Sequence, residues 1–110
     1  MPIQYPPNTY VAAIIPARWS STRFPGKPLH ILAGKPMVQH VWERCRQCSK
    51  LDRVAIATDN LKIKKVAESF GAEVIMTSEK HISGTDRIAE AVSHIEGATH
   101  VVNVQGDEPM

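Results

Sequence analysis

The sequence VAAIIPARWSSTRFPGKPL, residues 11–29, joins an apolar run to a basic loop. The run from Val11 to Ile15 contains no polar side chain, a pattern that is typical of a buried strand. The loop behind it carries Arg18, Arg23 and Lys27 within ten positions, with three hydroxyl residues between the two arginines. Because these cations and donors directly follow a buried strand, the stretch predicts a binding site for a compact polyanion at the end of that strand.

Helix and strand patterns alternate along the rest of the chain. Strands are predicted at 54–57, 73–76 and 100–104, and helices at 36–48, from an Asp59 or Asn60 cap to Gly71, and from Ser83 to Gly97. The inward face of the last helix is predicted to carry Ile88, Ala89, Val92 and Ile95. This alternation predicts the α/β class, with a mostly parallel sheet that helices cover.

In parallel sheets of this kind, ligands bind beyond the carboxyl ends of the strands. Three polar segments follow predicted strands at that edge, namely the basic loop, residues 81–87 and residues 105–109. We therefore expect these segments to converge on one site.

The chain has 110 residues, enough for one small domain with a hydrophobic core. Residues 1–10 have three prolines among the first seven positions and are interpreted as an extended lead-in to a domain at 11–110. The chain stops at Met110 directly after an acidic segment, with no helix following the last predicted strand. The sequence is therefore interpreted as a fragment of a longer domain.

Charge is unevenly distributed along the chain. Residues 1–50 contain seven Lys/Arg and one Asp/Glu, a net charge of +6, whereas residues 51–110 contain six and ten, a net charge of −4. The basic residues are concentrated in one short loop and are not spread along a face with interleaved aromatic side chains, as a nucleic-acid groove needs, so nucleic acid is not the expected partner. No apolar run reaches the roughly 18 residues of a membrane helix, and the amino terminus lacks a signal-peptide pattern. We expect a cytoplasmic protein with no membrane partner.

The two cysteines, Cys45 and Cys48, have the C-x-x-C spacing that occurs in redox and metal sites. They fall inside the helix predicted at 36–48, and no second cysteine pair is available to complete a zinc site. We interpret both as small buried thiols on the apolar face of that helix.

The basic loop suits phosphate but is not a Walker A motif, because only Gly26 precedes Lys27 and Pro28 follows it. Arg18 can hold phosphate oxygens with two parallel hydrogen bonds, and Lys27 supplies a point charge to the same oxygens. Backbone N–H groups around Ser20, Ser21 and Thr22 can form an anion-binding nest. The alternative is a solvated basic loop with a turn at Pro25-Gly26.

Two further segments offer candidate ligands. Asp107 follows the last predicted strand and faces the basic loop in the predicted fold. A carboxylate at this position is suited to bind a Mg²⁺ ion that a polyphosphate also holds. The alternative interpretation is an ordinary acidic turn. Ser83, Gly84 and Thr85 open a predicted helix and offer N–H groups and hydroxyls to a phosphate, a ribose or a base. Plain helix capping by Ser83 explains the same residues. No nucleophile–base pair supports covalent catalysis.

Six motifs occur in the order and spacing of one known family. They are Ile15-Pro16-Ala17-Arg18 with Ser21-Thr22-Arg23, Pro25-Gly26-Lys27-Pro28-Leu29, Gly34-Lys35-Pro36-Met37, Ala57-Thr58-Asp59, His81 with Ser83-Gly84-Thr85-Asp86-Arg87, and Val104-Gln105-Gly106-Asp107-Glu108-Pro109. From about Val11 to Met110 the chain resembles the amino-terminal portion of the 3-deoxy-manno-octulosonate (Kdo) cytidylyltransferases.

The resemblance implies a three-layer α/β/α nucleotidyltransferase fold, the Rossmann-like fold of the nucleotide-diphospho-sugar transferases, which is incomplete in this chain. It implies a Mg²⁺-dependent transfer of CMP from CTP to Kdo, with release of pyrophosphate, for lipopolysaccharide biosynthesis. Arg18 and Lys27 would hold the CTP phosphates, Gln105 would contact the nucleotide, and Asp107 would bind the metal. The segment from Ser83 to Thr85 would approach the cytidine and the sugar.

Family members are more than twice as long as this chain. Their second half supplies most of the acid-sugar pocket, a further carboxylate for the metal and the contacts of a homodimer. Two alternatives stay open at this point: a cytidylyltransferase for another acidic sugar, such as sialic acid or amino-Kdo, and a nucleotide-binding module that is inactive without the second half.

Overall fold

The apolar run that begins at Val11 forms the central strand of a parallel sheet. This strand, β1 (Val11–Ala17), pairs on one side with β4 (Arg53–Thr58) and on the other with β6 (His100–Asn103), while β5 (Glu73–Met76) pairs with β4. All three pairings are parallel, and the strand order is β5-β4-β1-β6. The structure, a computed structural model, describes residues 9–19, 26–78 and 84–104.

Helices cover both faces of this sheet. On one face, Ala13 and Ile15 pack in a core with buried residues of α1 (Met37–Arg46) and α2 (Leu61–Ser69). On the other face, Ala12 and Ile14 pack with Ala91 of α3 (Gly84–Val92). β1 is buried along its whole length because alternate side chains enter two different cores. The three-layer α/β/α prediction is therefore confirmed.

The segment between β1 and α1 contains a small hairpin that the sequence analysis did not predict. Strands β2 (Ile31–Leu32) and β3 (Lys35–Pro36) have two residues each, too short for a recognisable alternation. The hairpin is fastened to α1 by a contact of 2.5 Å between His40 Nε2 and the Leu32 carbonyl, and by a Lys35–Glu43 ion pair of 2.8 Å. Hydrogen bonds from Lys35 and Gln39 hold the pKa of Glu43 below its ordinary value.

Helix α1 is shorter at both ends than the predicted helix at 36–48. Pro36 is the N-cap in an extended conformation, with ψ 147°, so the helix begins at Met37. The helix ends at Arg46, and Cys48 therefore lies beyond it and is exposed, whereas Cys45 is buried. The interpretation of both cysteines as buried thiols is correct for Cys45 and wrong for Cys48.

Cys48 is expected to react with a thiol reagent in the folded protein, whereas Cys45 should react only after unfolding. Burial raises the pKa of the Cys45 thiol, so its nucleophilic thiolate is scarce at neutral pH as well as inaccessible. Titration with a chromogenic disulfide reagent should show one fast equivalent, and a second equivalent after addition of denaturant. Cys48→Ser should abolish the fast equivalent, and two fast equivalents in the unchanged protein would contradict the burial of Cys45.

The last helix also differs from its prediction. Ala91 and Ile95 are buried and Ile88 packs partly against the same core, but Ala89 is exposed, so its predicted inward position is wrong. Helix α3 ends at Val92, and tighter turns with hydrogen bonds between residues three apart continue to Ile95. These turns bring Ile95 back to the core. None of the helices in the described part of the chain is long and apolar enough to cross a membrane.

Candidate functional site

The carboxyl ends of the parallel strands bring four segments to one edge of the sheet. Arg18 follows β1, Asp59 and Asn60 follow β4, and Thr77 follows β5. The first residue of α3, Gly84, comes after the connection that leaves β5 at the same edge. Residues 81–83 and 105–109 lie outside the described residues, so the convergence of the three predicted segments stays a prediction.

The two ends of the basic loop are joined by a backbone hydrogen bond of 2.7 Å, in which the Gly26 N–H donates to the Trp19 carbonyl. Arg18 directly precedes one partner of this bond and Lys27 directly follows the other. The bond therefore sets the backbone positions of two cationic residues, nine positions apart in the sequence, at the two ends of one closed loop. Arg18 is exposed, whereas Lys27 is half-buried at the start of a 3₁₀ turn, Lys27–Leu29.

The start of α2 lies against this loop. Asn60 is the N-cap, and its Oδ1 accepts hydrogen bonds from the backbone N–H groups of Lys62 at 2.8 Å and Ile63 at 3.1 Å. Of the two caps that the sequence allowed, Asn60 is the one used. The ammonium group of Lys62 lies 5.3 Å from the centroid of the Trp19 ring, a cation–π contact between the segments that follow β1 and β4.

Asp59 has a different role, because its carboxylate pairs with Arg87. Nη2 of Arg87 donates to Asp59 Oδ2 at 3.0 Å, and Nη1 donates to Thr77 Oγ1 and to the Ser78 carbonyl at 3.3 Å. Arg87 is fully buried, and only 12% of the Asp59 side chain is exposed. Within the described part of the chain, Nε of Arg87 is buried without a hydrogen-bond partner. This cluster ties α3 to the ends of β4 and β5.

Arg87 was not among the site residues predicted from the sequence, although its spacing from two apolar residues carried a signal. Arg87 stands four positions before Ala91 and eight before Ile95, and all three residues are buried. A cation in the apolar stripe of a helix must have a partner, because an unpaired buried charge is strongly unfavourable. That partner was not identifiable from the sequence, since Asp59 lies 28 positions away.

Several predicted site residues lie outside the described residues, namely Ser21, Thr22, Ser83, Gln105 and Asp107. Gly84 and Thr85 belong to the first turn of α3. No group of three or more His, Cys, Asp or Glu side chains that could hold a metal ion occurs within the ranges 9–19, 26–78 and 84–104. The structure thus places Arg18 and Lys27 at the two ends of one loop, and it places Gly84 and Thr85 at the start of a helix that Arg87 anchors.

Comparison with known proteins gives one consistent family. The model of the cytidylyltransferase family matches residues 12–110. The 3-deoxy-manno-octulosonate cytidylyltransferase of Actinobacillus succinogenes is 54% identical over 104 residues, which are 93% of this chain and 40% of that protein. The protein of the same name from Pseudomonas syringae pv. tomato is 56% identical over 99 residues, covering 88% and 39%. The chain spans about two fifths of the length of these curated relatives.

Solved structures agree with this result. A CMP:2-keto-3-deoxy-manno-octonic acid synthetase complexed with CTP superposes with a TM-score of 0.89 at 45% identity, over 93% of this chain and 42% of that chain. A cytidylyltransferase from Leptospira borgpetersenii has the same fold, with a TM-score of 0.77 at 24% identity over 92% and 43%. The family match over residues 12–110 and the shared fold lead to one conclusion: this chain belongs to the cytidylyltransferase family.

Proposed function

We propose that this chain is the nucleotide-binding part of an enzyme that transfers CMP from CTP to 3-deoxy-D-manno-octulosonate and releases pyrophosphate. The observation that carries the proposal is the hydrogen bond between Trp19 and Gly26, which closes a loop with Arg18 and Lys27 at its two ends, beyond the carboxyl end of β1. The names of the curated relatives supply the acceptor sugar, and the CTP complex of the solved relative supplies the nucleotide.

The two cations have complementary tasks in this proposal. The guanidinium of Arg18 presents parallel donors that match two phosphate oxygens, whereas the ammonium of Lys27 is a compact charge. Together they would orient the triphosphate, so that the sugar hydroxyl attacks the α-phosphorus in line with the departing pyrophosphate. They would also neutralise charge that builds on the pyrophosphate. No covalent enzyme intermediate is needed.

Magnesium fits the donor chemistry of this edge, with Asp107 as its proposed protein ligand. Mg²⁺ is commonly held by one or two carboxylates together with phosphate oxygens, so a large cluster of protein ligands is not required. Asn103 is the register partner of Ile14, so β6 runs beside the strand that Arg18 follows; Asp107 itself lies outside the described residues. When bound, the metal would supply Lewis-acid stabilisation of negative charge on the phosphates.

Arg18→Ala and Lys27→Ala should each weaken CTP binding by about 10- to 100-fold, because each removes a charge-assisted phosphate contact worth roughly 1.5–3 kcal/mol. Isothermal titration calorimetry with CTP and Mg²⁺ measures this loss, and thermal unfolding checks that the fold is retained.

Lys50→Ala is the matched control, since Lys50 is exposed and precedes β4 at the opposite edge of the sheet. This variant removes the same charge and should bind CTP as the unchanged chain does. Unchanged affinity for CTP in both Arg18→Ala and Lys27→Ala would contradict the proposal that these residues bind the phosphates.

We place the whole enzyme in the cytoplasm, which agrees with the two unpaired cysteines. The homodimer and the absence of nucleic-acid and membrane partners stay predictions. Gel filtration of a protein with the full family length would test the dimer.

A further inference from the structure

Trp19 and Gly26 contact each other through both backbone and side chain. Beyond the hydrogen bond of 2.7 Å, a Cβ atom added to Gly26 would lie 3.0 Å from the Cη2 and Cζ3 atoms of the Trp19 ring. Gly26 also has a φ of +74°, in the left-handed region that favours glycine. The close approach of the indole to residue 26 therefore depends on the absence of a side chain there.

The Trp19 ring is held by other parts of the fold as well. It packs against the core on the α1–α2 face of the sheet and lies under the ammonium group of Lys62. Lys62 is fixed in turn at the start of α2 by the Asn60 cap. The ring thus links the segment that follows β1, the start of α2 after β4, and the end of the basic loop at Gly26.

We propose that Trp19 and Gly26 form a clasp that positions Arg18 and Lys27 for the triphosphate of CTP. Both residues are positioning residues, since they act through the two cations that flank them. The inference rests on the proposed function and adds a specific requirement: the affinity for CTP depends on an indole ring that seats against residue 26, as well as on the charges themselves.

Gly26→Ala and Gly71→Ala form a matched pair of test variants. Gly71 has a φ of +93°, but a Cβ added there meets nothing within 4 Å. Both substitutions strain a left-handed backbone, whereas only Gly26→Ala pushes against the Trp19 ring. We expect comparable losses of melting temperature, with a fall in affinity for Mg²⁺–CTP of at least about tenfold in Gly26→Ala alone.

A double-mutant cycle tests whether the indole transmits the effect. Trp19→Leu should itself weaken CTP binding, and adding Gly26→Ala to it should cause little further loss, because the ring that residue 26 displaces is gone. If the losses of CTP affinity in the two single variants simply add in the double variant, the clasp is contradicted.

Fluorescence gives a readout that does not depend on destabilised variants. The chain has two tryptophans, and Trp42 packs on Phe70 with ring centroids 5.1 Å apart, so Trp42→Phe leaves Trp19 as the sole indole. Titration of this variant with Mg²⁺–CTP should change its emission, since a polyanion binds beside the ring. Unchanged emission at saturating CTP would overturn the clasp.

Failure of this inference is distinguishable from failure of the proposed function. If the unchanged chain binds no CTP in calorimetry, both the proposed function and the clasp are contradicted. If the unchanged chain binds CTP and Gly26→Ala binds it as well as Gly71→Ala does, only the clasp is overturned.

Discussion

Asp107→Asn is expected to lower turnover by about a hundredfold or more, in a protein that carries the full length of the family. The substitution keeps the shape of the side chain but removes the charge that, in the proposed site, would face a divalent cation. Because the proposed metal would stabilise charge that develops during the reaction, loss of this metal would affect the reaction step more than the binding of CTP. Steady-state kinetics at saturating CTP and acceptor sugar measures the effect.

Calorimetry on the chain itself gives the complementary test. The tightening of CTP binding by Mg²⁺ should fall sharply in Asp107→Asn, whereas binding without metal should be unchanged or stronger, because a repulsion with the triphosphate is removed. An ordinary acidic turn predicts no change in either experiment, since Asn is well accepted in turns. Glu108→Gln is the companion variant, and it would become the candidate ligand if Asp107→Asn kept its Mg²⁺ dependence.

Arg87→Met should lower the free energy of unfolding by about 3–5 kcal/mol, because it leaves the largely buried carboxylate of Asp59 without its partner. Methionine retains much of the apolar volume of the side chain, so the loss reports the guanidinium group more than the packing. The hydroxyl of Thr77 and the carbonyl of Ser78 lose a donor as well. Urea unfolding followed by circular dichroism measures the change.

The exposed Arg53–Glu73 pair provides the control for Arg87. Its side chains are 31% and 39% exposed, and Glu73→Gln should cost at most about 1 kcal/mol. Combining Asp59→Asn with Arg87→Met should recover part of the loss, because no uncompensated charge stays buried. A cost for Arg87→Met no larger than that of Glu73→Gln would show that the cluster does not hold α3 in place.

The order of the parallel strands and the helices along the chain was predictable from the sequence, because a strand that is buried on both faces is apolar at nearly every position. Val11 to Ile15 must be apolar at every position, since alternate residues face two different cores. The amphipathic stripes of α1 and α2, and the Asn60 cap, likewise depend on residues close together in the chain. Local periodicity is sufficient for such features.

The Arg87 cluster and the Trp19–Gly26 clasp were decided by tertiary structure, because each depends on groups that are adjacent only after folding. Asp59, Thr77 and Arg87 meet where β4 and β5 end beside α3, and none of their spacings identifies the others.

The sequence by itself determined an α/β sheet with a basic loop after its first strand, since both follow from runs of neighbouring residues. It also carried the candidate residues of that loop, Arg18 and Lys27. The folded chain decided how the two ends of the loop that carry these cations are joined, because the bond between Trp19 and Gly26 closes the loop and Lys62 of α2 contacts the Trp19 ring. The physical reason is that residue types and short-range spacing encode local conformation. Contacts between segments that are distant in the chain, such as that of Lys62 with the Trp19 ring, exist only once the sheet has brought the ends of its strands together.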